Sequence, residues 1–100
     1  MKPFELTRKA KQDLKKIALY TENRWGREQR YLYAKQFDDA FHFLAENLSV
    51  GKKCEHIKTG YKKFPQGSHI IFYREGTKSK IIIIRILHKN MDVESRFLDT

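Results

Sequence analysis

The run IIIIRIL, residues 81–87, is the longest aliphatic stretch in this chain of 100 residues. Six of its seven residues are large aliphatics, and such a run is typical of a buried strand. We predict that it lies inside a sheet, because an exposed edge of this composition would aggregate. Side chains alternate along a strand, which predicts one face with Ile82, Ile84 and Ile86 and a second face with Ile81, Ile83, Arg85 and Leu87. We expect Arg85 to meet an acid, a carbonyl or water, because an unpaired buried arginine is very unfavourable.

The other strands are predicted from period-two patterns and from turn residues. Pro3-Phe4-Glu5-Leu6 is a short first strand. Three further strands form a meander, namely Tyr61–Phe64, Ser68–Glu75 and Lys80–Leu87. Pro65-Gln66-Gly67 and Gly76-Thr77-Lys78 are the predicted turns between them.

Two amphipathic helices lie between the first strand and the meander. The first is predicted over residues 8–24, with Thr7 as its N-cap and Gly26 as its end. The second carries an apolar stripe at helical spacing and ends at Ser49-Val50-Gly51. Its members are Tyr33, Phe37, Ala40, Phe41, Leu44 and Leu48. The order β-α-α-β-β-β predicts an α+β fold, in which a helical hairpin packs on one face of an antiparallel sheet and leaves the other face partly open. A length of 100 residues predicts a single domain, 1–100.

The charge of the chain is strongly basic and uneven. The formal net charge is +9, with balances of +5 over residues 1–27, −2 over 28–50, +8 over 51–89 and −2 over 90–100. This excess favours an anionic partner, whether nucleic acid, a membrane surface or an acidic protein. No stretch approaches the roughly 20 apolar residues of a membrane span, so we expect no membrane insertion. Cys54 is the only cysteine, which is compatible with a reducing cytoplasm.

Signatures of common catalytic and metal sites are missing from the sequence. It has no phosphate-binding P-loop, no nucleophile elbow and no zinc-ligand spacing, and we expect neither cofactor nor metal. We expect His42, His56 and His69 to be surface residues. His88 ends the sheet beside Lys89 and Asn90. It is either a general acid for phosphodiester cleavage or a hydrogen-bonded residue that fixes the turn into the tail.

The end of the chain and one basic segment leave further alternatives open. Asp92 is predicted to cap a short last helix, residues 93–98. The segment KTGYKKF, residues 58–64, mixes lysines with aromatics. It fits single-stranded nucleic acid, an acidic protein, or an ordinary half-buried strand.

Three stretches give the chain a resemblance to a known family. They are FELTRKAKQDLKKIALYTENRWG near the start, GSHIIFYRE in the middle and IIRILHKNMD near the end. With them the chain resembles the ParE branch of the RelE/ParE superfamily of bacterial toxin–antitoxin toxins over nearly its whole length. The pattern R-[IV]-L-H-x-x-M-D is the most specific of these marks. The fold of that family has the same order of elements as the one predicted above.

The resemblance implies a function and a set of partners. ParE-type toxins inhibit DNA gyrase by trapping the cleaved DNA–gyrase complex, and they are regarded as inhibitors rather than enzymes. A cognate ParD-like antitoxin neutralises them in a hetero-oligomer, and such systems serve plasmid stabilisation. The candidate residues for target binding are Arg74, Arg85, His88, Lys89, Met91 and Asp92. The candidates for antitoxin binding are Leu14, Ile17, Tyr20 and Trp25.

Two other functions remain as alternatives. RelE-type relatives are ribosome-dependent mRNA endoribonucleases, but this chain has Pro65-Gln66-Gly67 where nucleases tend to offer an arginine, and Phe97 where they offer a tyrosine. Both differences weaken phosphate stabilisation and proton transfer. The third alternative is a plain nucleic-acid-binding domain, which predicts DNA binding that weakens steeply with salt.

Overall fold

The structure is a computed structural model that describes residues 2–98, apart from the side chains of Glu94 and Leu98. The helices are α1 (Arg8–Trp25), α2 (Arg27–Glu46) and α3 (Val93–Leu98). The strands are β1 (Lys2–Leu6), β2 (Lys52–Lys53), β3 (Lys62–Gln66), β4 (His69–Glu75) and β5 (Ser79–His88). The fold class and the predicted order of elements are confirmed, and the predicted last helix is present as α3. The two-residue strand β2 was not predicted. Residues 1, 99 and 100 of the predicted domain lie outside the described residues.

The five strands form one sheet in the order β1-β5-β4-β3-β2. Strands β2, β3, β4 and β5 pair antiparallel, as the meander predicts. The prediction of a purely antiparallel sheet is wrong at β1, which pairs parallel to β5. The helical hairpin carries the chain from β1 to the opposite edge of the sheet, where β2 lies. The following strands then bring β5 back beside β1, and these two strands run in the same direction. The isoleucine run therefore lies inside the sheet, between β1 and β4.

A β-bulge changes which residues of β5 share a face. Phe72 pairs with Arg85 but Tyr73 pairs with Ile83, so Ile84 is the extra residue. Ile81, Ile83 and Ile86 therefore all pack into the core under the helices. The prediction that Ile81 and Ile83 share a face is confirmed, but the predicted grouping is wrong beyond the bulge for Ile86 and Leu87, because simple alternation assumes a strand without an inserted residue.

The side of the sheet that α1 and α2 cover, called here the helix side, holds the main core. Ala10, Phe37, Ala40, Phe41, Leu44, Ala45, Ile71, Tyr73, Ile81, Ile83 and Ile86 are buried there. Helix α1 begins at Thr7, whose side chain accepts from the Ala10 amide, as predicted. Helix α2 ends at Glu46, three residues before the predicted stop, and Leu48 still packs against the core from the following loop.

The opposite side, called here the outer face, carries a smaller apolar cluster. Cys54, Phe72 and Leu87 are buried in it, and the partly buried side chains around them are Ile57, Tyr61, Ile70, Val93 and Phe97. The loop after β2 and helix α3 cover this cluster, which lies at one end of the outer face. None of the helices in the described part of the chain is long and apolar enough to cross a membrane.

Candidate functional site

Arg85, the charged residue inside the isoleucine run, is held by Asp13 of α1. Its Nε lies 2.8 Å from Asp13 Oδ2 and its Nη2 lies 3.0 Å from Asp13 Oδ1. The two hydrogen bonds form a bidentate salt bridge. Asp13 Oδ2 also accepts the backbone N–H of Ile86 at 3.0 Å, and Arg85 Nη1 donates to the Arg96 carbonyl at 3.3 Å. The expectation that Arg85 meets an acid or a carbonyl is confirmed on both counts.

The local path of the chain explains why α1 reaches β5 at this point. Strand β1 pairs with β5 only as far as Ile83, and helix α1 starts at once. Thr7 closes the junction, because its N–H donates to Ile83 O at 3.1 Å and its hydroxyl donates to Ile84 O at 2.7 Å. Asp13, two turns further, then satisfies the next amide of β5. Side chains of α1 thus replace a strand along the second half of β5.

A small pocket of about 110 Å³ lies at this edge and is called here the edge pocket. It brings together three of the predicted target-binding residues, Arg85, His88 and Met91. Its remaining lining is Asp13, Lys16, Ile17, His69, Ile86, Leu87 and Arg96. Three cationic side chains, Lys16, Arg85 and Arg96, contribute to this lining, and Asp13 is its acid.

His69 and His88 pair across β4 and β5, with their rings 5.4 Å apart at the edge pocket. His69 Nδ1 shares a hydrogen bond of 2.7 Å with the Tyr33 hydroxyl of α2. Burial, and then the neighbouring His88, hold the pKa of His69 below its ordinary value, while Asp13 acts weakly in the other direction. The prediction that His69 is a surface residue is wrong, because α2 lies over it. His42 and His56 are exposed, as predicted.

His88 fixes the turn into the tail, which is one of the two roles predicted for it. Its Nδ1 accepts the Asn90 amide at 3.2 Å, and its carbonyl accepts the Met91 amide at 3.0 Å. Lys89 N donates to Ser68 O at 3.0 Å, and its side chain is exposed. Asp92 is exposed directly before α3, and its carbonyl accepts from the Ser95 hydroxyl.

Arg74, the remaining target-binding candidate, lies elsewhere. It pairs with Ile82 on the outer face and lines a separate concavity of about 720 Å³, called here the basic concavity. The lining of the basic concavity is Thr7, Arg8, Lys9, Lys58, Thr59, Tyr61, Arg74 and Ile84. The predicted target-binding residues therefore divide between two separate places, one at the edge of β5 and one on the outer face.

The antitoxin-binding candidates also divide. Leu14 and Ile17 line a largely apolar groove of about 530 Å³ between α1, α2 and β1, called here the hairpin groove. Its other lining residues are Phe4, Leu6, Lys15, Ala18, Thr21, Arg30, Tyr33, Ala34, Phe37, Asp38 and Phe41. Tyr20 and Trp25 are exposed and do not line it. The Arg24 guanidinium lies 5.3 Å from the centre of the Trp25 ring.

Asp13 is the residue of the edge pocket that sequence reasoning missed. It sits on the apolar side of α1, one position before Leu14, and it is buried. A lone carboxylate beside an apolar helical stripe and a lone arginine inside an apolar strand are each other's natural partners. The presence of both residues in the sequence could have predicted the contact, although they are 72 positions apart. Among the described residues, no group of three or more His, Cys, Asp or Glu side chains is placed to hold a metal ion.

Comparisons with known proteins identify the family of the chain. Residues 4–93 match the family model described as the ParE toxin of the type II toxin–antitoxin system parDE. Toxin ParE1 of Caulobacter vibrioides is 40% identical over 95 residues, which cover 95% of this chain and 97% of that protein. Toxin ParE1 of Mycobacterium tuberculosis strain H37Rv is 36% identical over 91 residues, which cover 91% of this chain and 93% of that protein.

A solved structure of a chromosomal ParDE toxin–antitoxin system from P. aeruginosa is similar in fold. It matches with a TM-score of 0.74 at 23% identity and covers 88% of this chain and 96% of that chain. The family model spans most of the chain, and the two relatives match over nearly their full lengths. The chain belongs to the ParE toxin family of type II toxin–antitoxin systems.

Proposed function

We propose that this protein is a non-enzymatic toxin that inhibits DNA gyrase by trapping the cleaved DNA–gyrase complex. A cognate ParD-like antitoxin neutralises it in a hetero-oligomer in the cytoplasm, where gyrase works. The observation that carries the proposal is membership of the ParE family over residues 4–93. Its net charge of +9 suits binding to an acidic antitoxin or to a gyrase complex that contains DNA.

The bonding of the edge pocket supports inhibition without catalysis. Phosphodiester cleavage needs an acid, a base and a cation that stabilises the phosphate, all within reach of one another. Arg85 is already held by both oxygens of Asp13, and His88 holds the turn at Asn90. These side chains are therefore occupied in supporting the fold of the edge and the tail, and they present a shaped surface to a target.

The hairpin groove supports the proposed antitoxin contact. A groove with apolar walls between two helices suits an amphipathic segment that inserts its apolar side chains. Leu14 and Ile17 line one wall and Phe37 and Phe41 line the other, while Arg30 and Lys15 offer cations to acidic residues of the segment. An antitoxin segment of this kind would order as it binds.

The first test is a gyrase assay with purified, antitoxin-free protein. Supercoiled plasmid, gyrase and ATP are incubated with increasing toxin, and linear DNA is scored after detergent and protease. We expect linear DNA to accumulate with toxin. Met91→Glu should reduce it, because Met91 is an exposed member of the edge pocket. Leu32→Glu is the matched control, an equally exposed apolar residue of α2 that does not line that pocket.

Two results of this assay would contradict the proposal. If folded wild-type protein yields no linear DNA and leaves the supercoiling activity of gyrase intact, the proposal of gyrase poisoning is wrong. Cleavage of ribosome-bound mRNA by the same preparation, lost in His88→Ala, would then establish the endoribonuclease alternative.

The antitoxin contact is tested separately by neutralisation. Ala18→Lys places a charged chain in the hairpin groove, and Leu19→Lys places the same chain on the exposed side of α1. We expect co-expression of the ParD-like protein to rescue growth from the Leu19→Lys toxin but not from the Ala18→Lys toxin. Equal rescue of both toxins would show that the antitoxin binds elsewhere.

A further inference from the structure

The outer face carries a concentration of positive charge that lies outside the edge pocket and the hairpin groove. The basic concavity collects Arg8 and Lys9 from the start of α1, Lys58 from the loop before β3, and Arg74 from β4. No acidic side chain is among its described lining residues. Three separate segments of the chain thus bring cations to one surface. A concentration of like charge on one surface attracts anions.

A second concavity extends this surface. It has a volume of about 590 Å³ and shares Thr7 and Arg74 with the basic concavity. It adds Lys2 and Lys11, together with Glu5, whose carboxylate accepts from the Ser79 hydroxyl at 3.4 Å. Six cations and one acid therefore line the two adjoining concavities, with Arg74 at their junction. A polyanion with repeated charges suits this arrangement better than a single small anion.

We propose that this surface binds the phosphate backbone of duplex DNA directly, without gyrase. Cations placed along a concave surface contact successive phosphates and read no base sequence. The proposal stands apart from gyrase poisoning, since it concerns protein and DNA alone. If both hold, the toxin contacts the DNA of the gyrase complex as well as the enzyme.

The aromatic residue of the basic concavity favours duplex over single-stranded nucleic acid. Single-strand binding depends on exposed aromatic rings on which bases stack. Tyr61 is partly buried, and its ring lies 5.8 Å from that of Phe97 within the outer-face cluster. It therefore offers little free ring surface for a base, and the exposed cations Arg8 and Lys58 carry the contact.

The position of the surface also favours DNA over an acidic polypeptide. A peptide commonly docks on a free strand edge or in an apolar groove. Arg74 belongs to β4, which has neighbouring strands on both sides in the sheet, so the basic concavity lies over a sheet face. The apolar groove of the molecule lies on the helix side, between α1 and α2.

The test is the fluorescence anisotropy of a short labelled duplex, titrated with antitoxin-free toxin across a salt series from about 50 to 200 mM. The double variant Arg74→Gln/Lys58→Gln should weaken binding at least about tenfold at low salt and reduce the slope of log K against log salt by about two. Arg27→Gln/Lys35→Gln is the matched control, with the same loss of charge at residues that line neither concavity. It should leave the slope unchanged.

Several outcomes would overturn the proposal. Equal losses in both double variants would mean that net charge alone binds DNA. Tighter binding of a single-stranded RNA of the same length would reassign the surface to single strands. Binding of labelled polyglutamate in place of duplex DNA would reassign it to an acidic polypeptide. If the double variant does not fold, as judged by circular dichroism, Arg8→Gln against Arg27→Gln repeats the comparison, with an expected change in slope of about one.

Discussion

The two faces of the sheet are built from the same strands but differ in what covers them. On the helix side, two long helices bury a continuous core in which the rings of Phe37, Tyr33 and Phe41 pack together. On the outer face, a loop and the six-residue helix α3 cover only the cluster around Phe72 and Leu87. The rest of the outer face carries the basic concavity.

Charge is uneven among the elements. Helix α2, apart from Arg27, falls within the part of the chain whose net charge is −2, whereas α1 falls within the part with +5 and the strands β3 to β5 fall within the part with +8. A strand points successive side chains to opposite sides, so one set can build the core while the other set faces a partner. We infer that the helix side mainly provides stability and that the outer face mainly provides recognition of an anionic target.

The largest expected loss of stability comes from removing an aromatic ring on the helix side, and the same substitution on the outer face provides the comparison. Phe37 is 2% exposed, and Phe37→Ala should lower the free energy of unfolding by about 3–5 kcal/mol, as for other buried aromatics. Phe97 is only partly buried, against Phe72 and Tyr61, so Phe97→Ala should cost about 1–2 kcal/mol. Urea unfolding followed by circular dichroism measures both.

Similar losses in the two variants would contradict the division into a stabilising side and a recognition side. A larger loss for Phe97→Ala would mean that α3 is an essential part of the core.

The contact that joins the two sides, Arg85 with Asp13, gives the next largest effect. Asp13→Ala leaves the arginine without its carboxylate and the Ile86 amide without its acceptor, and should destabilise the fold by about 3 kcal/mol. Asp39→Ala is the reference, because Asp39 is exposed and its ion pair with Lys35 spans 3.8 Å. It should change stability by less than about 0.5 kcal/mol.

A double variant shows whether the unpaired charge is the cause. Asp13→Ala/Arg85→Met removes both charges, and should recover part of the stability that Asp13→Ala loses. An Asp13→Ala protein as stable as Asp39→Ala would show that Arg85 does not depend on its carboxylate.

This contact also marks how far the sequence could predict the structure. All strands except β2, both long helices and the last helix follow from local patterns, such as the apolar stripe of α2 and the Thr7 cap of α1. The partner of Arg85 does not, because it depends on where α1 crosses β5, a contact between residues 72 positions apart. The bulge at Ile84 and the parallel pairing of β1 are likewise consequences of tertiary packing.

The candidate site could be predicted only in part, because some of its contacts also depend on tertiary packing. The proximity of Arg85, His88 and Met91 follows from their closeness in sequence at the end of a strand. The separation of Arg74 from them does not, because it depends on the register between β4 and β5. The burial of His69 depends on Tyr33, which approaches from α2.

A smaller loss is expected from Gly51→Ala, which tests how closely the helix side is packed. Gly51 lies against the hydroxyl and ring of Tyr73, which is 1% exposed, and an added Cβ would overlap them. The loss should be about 1–3 kcal/mol, as for other overpacked cores. Tyr73→Phe in the same protein removes the nearest atom and should recover part of it. Val50→Ala at the exposed neighbouring position is the control, and a loss as large as that of Gly51→Ala would implicate the loop rather than the packing.

The smallest expected effect is the pH dependence that His69 adds to stability. Its pKa is lower in the folded protein than the ordinary value of 6.5, mainly because of burial. The unfolded chain therefore binds a proton first as pH falls below 6.5, and folding stability decreases from there down to the folded pKa. Above pH 6.5 both states are neutral at this residue, so its contribution is constant.

Substitution isolates this contribution at the point where the helix side reaches the edge pocket. His69→Gln should show a smaller drop in stability between pH 7 and pH 5 than the wild-type protein, in urea unfolding at each pH. His56→Gln is the matched control, because it makes the same substitution at an exposed histidine outside this contact. If the drop persists in His69→Gln, other groups cause it. If it disappears, the contact between Tyr33 and His69 makes this end of the sheet sensitive to pH.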